Sequence, residues 1–294
     1  MSFVSTLHSG KFIITAEISP PKGTDVSRML MDAELLKGIA DAVNVTDNQR
    51  AVMRMSPLAA CGIIQGKGIE TIMHITCRDR NRLALQSDLI AGHALGIRNV
   101  LVMSGDHPAK GDHEGAKPVY DVDSVQLLGI LQKLNKGFDL AGNELNGKTD
   151  LCAGAVTNTE LNEAGLIKLR KKIQMGASFF QTQAVFDVHS FSVFMEKVNG
   201  IRSKNVKIIA GIIPLKSQRS AEFLNKVPGI KVPEDMVGKM KESKNPEEQG
   251  MEIAARIIKE IRPLCDGVHI MPVGNHEYTK TILEMAGLLS ITPG

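Results

Sequence analysis

Short, apolar, β-branched runs recur along this chain, and between them the apolar positions return every three to four residues. The runs read as strands: FIITAEIS from Phe12, DAVNVTD from Asp41, ETIMHITC from Glu70, NVLVMSGD from Asn99, LCAGAVTN from Leu151, FFQTQAVF from Phe179, VKIIAGIIP from Val206 and GVHIMPV from Gly267. Segments such as SRMLMDAELLKGI, SDLIAGHALG, SVQLLGILQKL, AGLIKLRKKIQMG and GMEIAARIIKEI carry the helical period. Ser56-Pro57 has the form of an N-cap followed by proline at the first helical position, and Gly96 and Gly176 stand where helices stop before a strand. Near-continuous apolar strands joined through helices predict a parallel sheet covered on its faces. Eight such rounds in 294 residues predict a closed (β/α)8 TIM barrel, one domain spanning 1–294. An open doubly wound sheet would begin on a glycine-rich phosphate turn, and no GxGxxG or Walker A sequence follows any of these strands.

Two connections are longer and more polar than a minimal linker: SGDHPAKGDHEGAKPVYDVD after the fourth strand and NKGFDLAGNELNGKTD before the fifth. In a barrel, βα loops emerge at the C-terminal face where chemistry takes place, so only the first of these is on the catalytic side. Composition adds exclusions. The 35 basic and 32 acidic residues are dispersed, and with no Trp and two Tyr neither nucleic acid nor an anionic membrane is an expected partner. The N-terminus lacks a basic region followed by an apolar run, and no stretch reaches the ~18 apolar residues of a membrane span. The expectation is a cytoplasmic protein. Cys61, Cys77, Cys152 and Cys265 form no CxxC pair, which favours buried reduced thiols over a metal cluster or redox disulfide.

Polar residues near the C-terminal ends of the strands are the candidates for chemistry: Glu17, Thr46 with Asp47 and Asn48, His74 with Thr76, Asp106, Thr157 with Asn158, and Gln183. Taken singly, each is explained as a cap or turn residue, but six of eight strands carrying one at the same end points to a site. Glu17, flanked by apolar strand residues, is expected to have its pKa raised by desolvation, as a general acid requires. Asp106, on a glycine-rich polar loop, is expected to stay ionised and to stabilise developing positive charge. His107, Asp112 and His113 raise a metal reading, set aside because the loop lacks a rigid ligand frame. His74 alone reads as a core histidine bonded to a backbone carbonyl, and Lys172 as part of a solvated helix face.

The motifs AEISPP, NVTD, MHITC, SGDHP, TQAVFD and GIIP, in this order and spacing, resemble the methylenetetrahydrofolate reductase family from about Phe12 to Gly287. The runs NVTDNQRAVMRMSP and TCRDRNRLALQSDLIAGHALGI are similar in particular to the form found in acetogenic and related anaerobic bacteria. The resemblance implies a flavin-bearing barrel that reduces 5,10-methylenetetrahydrofolate to 5-methyltetrahydrofolate in one-carbon metabolism. FAD is favoured over FMN. It implies that Glu17 is the acid that opens the folate ring to an iminium, that Asp106 holds the pterin, and that Gln183 contacts the substrate. Thr46, His74, Gly105, Asp106, Tyr120 and Lys172 match flavin contacts, Lys172 at the phosphate; Asp47, Thr76, Ser104, Asp123, Thr157 and Asn158 complete the candidate cofactor set.

Departures fall on the grip for flavin, nicotinamide and folate tail. Ser104 stands where many members have arginine, Lys216, Ser217 and Gln218 replace an aromatic, Asn275 replaces an arginine, and VTNTELNE lacks a proline and histidine. Gln218 and Asn275 are retained as candidate substrate contacts. The implied donor is NAD(P)H or a reduced protein, with an iron–sulfur partner subunit favoured. Two other readings stay open: a pterin-binding or metal-dependent enzyme on the same barrel, and a partly non-catalytic subunit of a redox complex.

Overall fold

The computed structural model describes residues 2–272 and 274–290. Strands β1 (Ile13–Ile18), β2 (Ala42–Val45), β3 (Thr71–Thr76), β4 (Asn99–Met103), β5 (Cys152–Thr157), β6 (Phe179–Ala184), β7 (Lys207–Ile212) and β8 (Gly267–Ile270) pair in parallel in chain order, and β8 returns to β1 to close the barrel. Each strand begins within one residue of its predicted start. Several end earlier than predicted, because trailing polar residues such as Ser104–Asp106 leave the ladder to form βα loops.

The helices are α1 (Phe3–His8), α2 (Ser27–Leu36), α3 (Pro57–Gln65), α4 (Arg82–Ala94), α5 (Ser124–Asn135), α6 (Glu163–Gln174), α7 (Val188–Asn199), α8 (Gln218–Leu224), α9 (Glu234–Glu242), α10 (Pro246–Ile261) and α11 (Glu277–Met285). Ser56 Oγ accepts from the Leu58 N–H and Pro57 opens α3, as the sequence predicts. Gly96 and Gly176 leave their helices at φ +92° and +90°, the left-handed stop that a side chain would strain. Three helices rather than one separate β7 from β8. None of the described helices is long and apolar enough to cross a membrane.

Inside the barrel the strand alternation stacks side chains in layers. Ile13, Ala42, Ile72, Leu101, Phe179 and Ile209 form an apolar floor, sealed from below by Phe3 and Leu7 of α1. The Phe3 and Phe179 rings meet edge to face at 5.3 Å. The loop of residues 136–150 lies at the N-terminal end, folded on an antiparallel bridge between Phe138 and Glu144.

Candidate active site

One layer above the floor the barrel interior turns polar. Thr15, Asn44, His74, Gln181 and His269 are all buried and bonded across the barrel. The Asn44 and Gln181 amides exchange hydrogen bonds at 2.8 and 3.1 Å, and Gln181 Nε2 also donates to Thr15 Oγ1 at 3.2 Å. Asn44 Nδ2 lies 2.9 Å from His74 Nε2, so that nitrogen is the acceptor and His74 is the Nδ1–H tautomer. Burial holds His74 neutral, its pKa pushed down to about 4. His74 is thus a core histidine, its partner an amide side chain in place of the expected backbone carbonyl. Thr15 Oγ1 lies 3.0 Å from His269 Nδ1. His269 Nε2, the other ring nitrogen, is the atom nearest Glu17, at 3.9 Å.

Glu17 stands on top of this layer, two residues beyond Thr15 and on the same face of β1. Its side chain is 15% exposed. The expected rise in its pKa does not occur. Burial raises it, but His269, His74 and a hydrogen bond from Gln49 outweigh burial and hold the carboxyl below its ordinary value. His269, its Nε2 3.9 Å from Oε2, is the largest of these lowering influences and Gln49 the smallest. Among the described residues the direct donor to the carboxylate is Gln49 Nε2, 2.9 Å from Oε1.

Thr46 directly follows β2 on the same inward parity, and its buried hydroxyl has no hydrogen-bond partner among the described residues. Asp47, next to it, faces away into a closed set of bonds: Oδ2 accepts from the Thr76 N–H and hydroxyl at 2.9 and 2.8 Å and from Arg80 at 2.7 Å. Asp47 and Thr76 therefore brace the β2 and β3 ends against each other. Arg78, fully buried, spans from Asp79 to the Asp47 and Asp106 carbonyls. Gly105 packs so close that a Cβ there would lie 3.0 Å from Thr76 Cβ, and at φ +84° a side chain would be strained as well. Its carbonyl accepts from the Tyr120 hydroxyl at 3.2 Å. Beside it Ser104 is half-buried, while the Asp106 carboxylate is 49% exposed at the mouth, 3.9 Å from Lys110.

Lys172 departs from the solvated-face reading. It is buried, its Nζ donates to the Val156 carbonyl at 2.7 Å, and burial with Lys168 nearby lowers its pKa to about 8. Near it, a cleft of about 440 Å³ is lined by Asp123, Gln126, Lys168 and Lys171, with the Asp123 carboxylate capping α5. Thr157 is buried and bonds the Asn158 carbonyl; Asn158 is exposed beside Gly229. Gln183 lies within a register shift of β6, between Gln181 and Ala184, and is half-buried. Gln218 and Asn275, expected at the substrate, bond locally: Gln218 to Glu222 at 2.8 Å, Asn275 to the Glu277 N–H at 3.2 Å. No group of three His, Cys, Asp or Glu side chains able to hold a metal occurs among the described residues. Cys61 and Cys77 are buried, Cys152 and Cys265 half-buried, and all four are free.

The residues absent from the sequence-based candidates are Thr15, Asn44, Gln181, His269 and Gln49. The first four were legible in principle: each sits two residues before a strand-end position, on the inward parity, in an otherwise apolar run. Gln49 carries no such signal, because a loop residue has no period.

The methylenetetrahydrofolate reductase family model matches residues 2–287. The 5,10-methylenetetrahydrofolate reductase of Buchnera aphidicola subsp. Schizaphis graminum is 25% identical over 287 residues, 92% of this chain and 91% of that protein. Methylenetetrahydrofolate reductase 1 of Schizosaccharomyces pombe is 25% identical over 226 residues, 75% of this chain, which spans about a third of that longer relative (36% of it is matched). Among solved structures, an uncharacterized Clostridium thermocellum protein that binds two copies of 5-methyl-5,6,7,8-tetrahydrofolic acid superposes with a TM-score of 0.65 at 17% identity, covering 97% of each chain. A long-chain alkane monooxygenase superposes with a TM-score of 0.58 at 13% identity, so the barrel itself is shared more widely than any one chemistry. With the family model extending over nearly all of its residues, the chain belongs to the methylenetetrahydrofolate reductase family.

Proposed function

We propose that this barrel binds a flavin and reduces 5,10-methylenetetrahydrofolate to 5-methyltetrahydrofolate. The observation that carries the reading is the meeting at one barrel mouth of a half-buried acid, Glu17, with the buried, unpartnered hydroxyl of Thr46. The residues fit a flavin. Thr46 offers an unused hydrogen-bonding group, Gly105 lets the loop after β4 pack closely on Thr76 and Arg78 beside it, and Lys172 holds a buried cation suited to a phosphate. Tyr120, Asp123, Ser104, Thr157 and Asn158 belong to the same proposed cofactor surface, with FAD favoured over FMN. Asp47, Thr76 and His74 are proposed to act beneath it by fixing the strand ends.

When bound, a flavin supplies the hydride that reduces the methylene carbon. The chain's own residues supply the proton and the field. Glu17 gives a proton to the folate nitrogen that leaves the methylene carbon, so that the five-membered ring opens to a cationic iminium. Asp106, exposed at the mouth, holds the pterin and stabilises that cation, with Gln183 as a further substrate contact. Gln218 and Asn275 would reach substrate only by giving up their present bonds. Lys216–Gln218 in place of an aromatic favours a reduced protein, from an iron–sulfur subunit, over NAD(P)H as donor.

Glu17→Gln tests the acid role. The variant is expected to keep flavin and folate binding and electron transfer into the flavin, while folate reduction falls by roughly 10²–10⁴-fold. Stopped-flow measurement of both half-reactions decides: equal loss in both removes Glu17 as the acid.

A further inference from the structure

Glu17 must present a proton to substrate, and the side chain that donates a hydrogen bond directly to its carboxylate is Gln49, at 2.9 Å. We infer that Gln49 is a positioning residue whose amide holds the Glu17 carboxylate in place until substrate enters the mouth and displaces that amide, after which Glu17 takes up a proton from solvent and passes it to the folate nitrogen. The inference rests on the functional reading above.

Three observations support it. First, the amide is oriented for the task. Ser19 Oγ donates to Gln49 Oε1 at 3.4 Å, which turns Nε2 toward Glu17 Oε1 at 2.9 Å. Second, the backbone that presents it is strained. Asn48, Arg50 and Ala51 lie at φ 43°, 59° and 57°, the left-handed region that costs an L-residue roughly 1–2 kcal/mol. Gln49 and Arg50 are exposed, so burial does not account for the turn, and strain of this kind gathers where function demands it. Third, the segment is tied down around the mouth. Asn48 Oδ1 accepts from the Arg54 N–H at 2.9 Å, and Arg50 lies over the Phe223 ring at 5.1 Å. Gly111 of the β4 loop packs so tightly that a Cβ would lie 1.8 Å from the Ala51 carbonyl oxygen. Asp112 then accepts from the Met53 N–H and pairs with Lys22. The loops after β1, β2 and β4 thus hold one strap, and Gln49 is the side chain it delivers to the acid.

The titratable groups facing Glu17 are His269 from β8, His74 from β3 and, more distantly, His276 ahead of α11. None of them lies on the strap, so substitution at Gln49 leaves them in place. The test uses Gln49→Met, which keeps length and removes the donor, and Gln49→Glu, which sets a second carboxylate against the first. The flavin-loaded, reduced protein is mixed with 5,10-methylenetetrahydrofolate between roughly pH 5 and 9, and the rate of flavin reoxidation is recorded. A donor to the ionised form favours that form, so its loss is expected to move the high-pH limb of the profile upward by roughly one unit. At pH above the wild-type limb, Gln49→Met should therefore react up to about tenfold faster. Gln49→Glu should move the limb further, because two adjacent carboxylates resist joint ionisation. Reduction of the flavin by dithionite should be unchanged in both. Profiles that superpose on wild type, or that fall by the same factor at every pH, overturn the inference. Wild-type protein that carries flavin but is not reoxidised by methylenetetrahydrofolate overturns the functional reading, and this one with it.

Discussion

Lys172 and Glu17 show how little a side chain's sequence neighbourhood reveals about its charge. Lys172 sits in a basic helical stretch, yet it points inward to the Val156 carbonyl and its pKa is lowered to about 8. A base whose folded pKa lies below its unfolded value of 10.5 contributes stability above that value and loses it as pH falls toward about 8. Lys172→Met is therefore expected to raise the unfolding midpoint at neutral pH. It is also expected to remove a proton uptake: a bound flavin phosphate favours the ammonium form, so near pH 9 binding should draw about one proton into the wild type. Titration calorimetry of FAD and of FMN in buffers of different ionisation enthalpy measures that uptake. A buffer-independent heat in the wild type would place Lys172 away from the phosphate. For Glu17 the sequence shows the burial but not the bonds that oppose it. Its inward position follows from β-strand alternation, whereas the Gln49 amide arrives from a strained loop 32 residues later, which no local pattern encodes.

Among the elements, strands and turns were the most legible. A buried parallel strand must be almost wholly apolar, and Ser56-Pro57, Gly96 and Gly176 mark boundaries by backbone chemistry alone. The short α1 escaped because six residues span too few turns to display a period, although it has a definite task. It buries Phe3 against Phe179 and closes the floor of the barrel at the end opposite the site. Phe3→Ala is expected to lower stability by about 3–5 kcal/mol. Flavin absorbance of the folded variant should be unchanged, since the polar layer separates floor from mouth. Denaturant titration followed by circular dichroism checks the first expectation, and a visible spectrum the second. A bleached or blue-shifted flavin band in the folded variant would mean that floor and mouth are coupled.

At the scale of the whole molecule, eight parallel strands stack three layers in one lumen: an apolar floor, a buried polar layer that holds His74 and His269, and a rim of strand ends and βα loops that carries Glu17, Thr46, Gly105 and Asp106. The division follows from strand parity, because residues two apart face the same way and successive layers can differ in polarity. The central claim is that this mouth passes electrons from flavin to the one-carbon unit of a folate. Its most direct test is to load the protein with flavin, reduce it anaerobically by light, and add 5,10-methylenetetrahydrofolate without any other acceptor. The visible flavin band is predicted to return as one equivalent of 5-methyltetrahydrofolate forms per flavin; a band that stays bleached in the presence of bound folate would contradict the account.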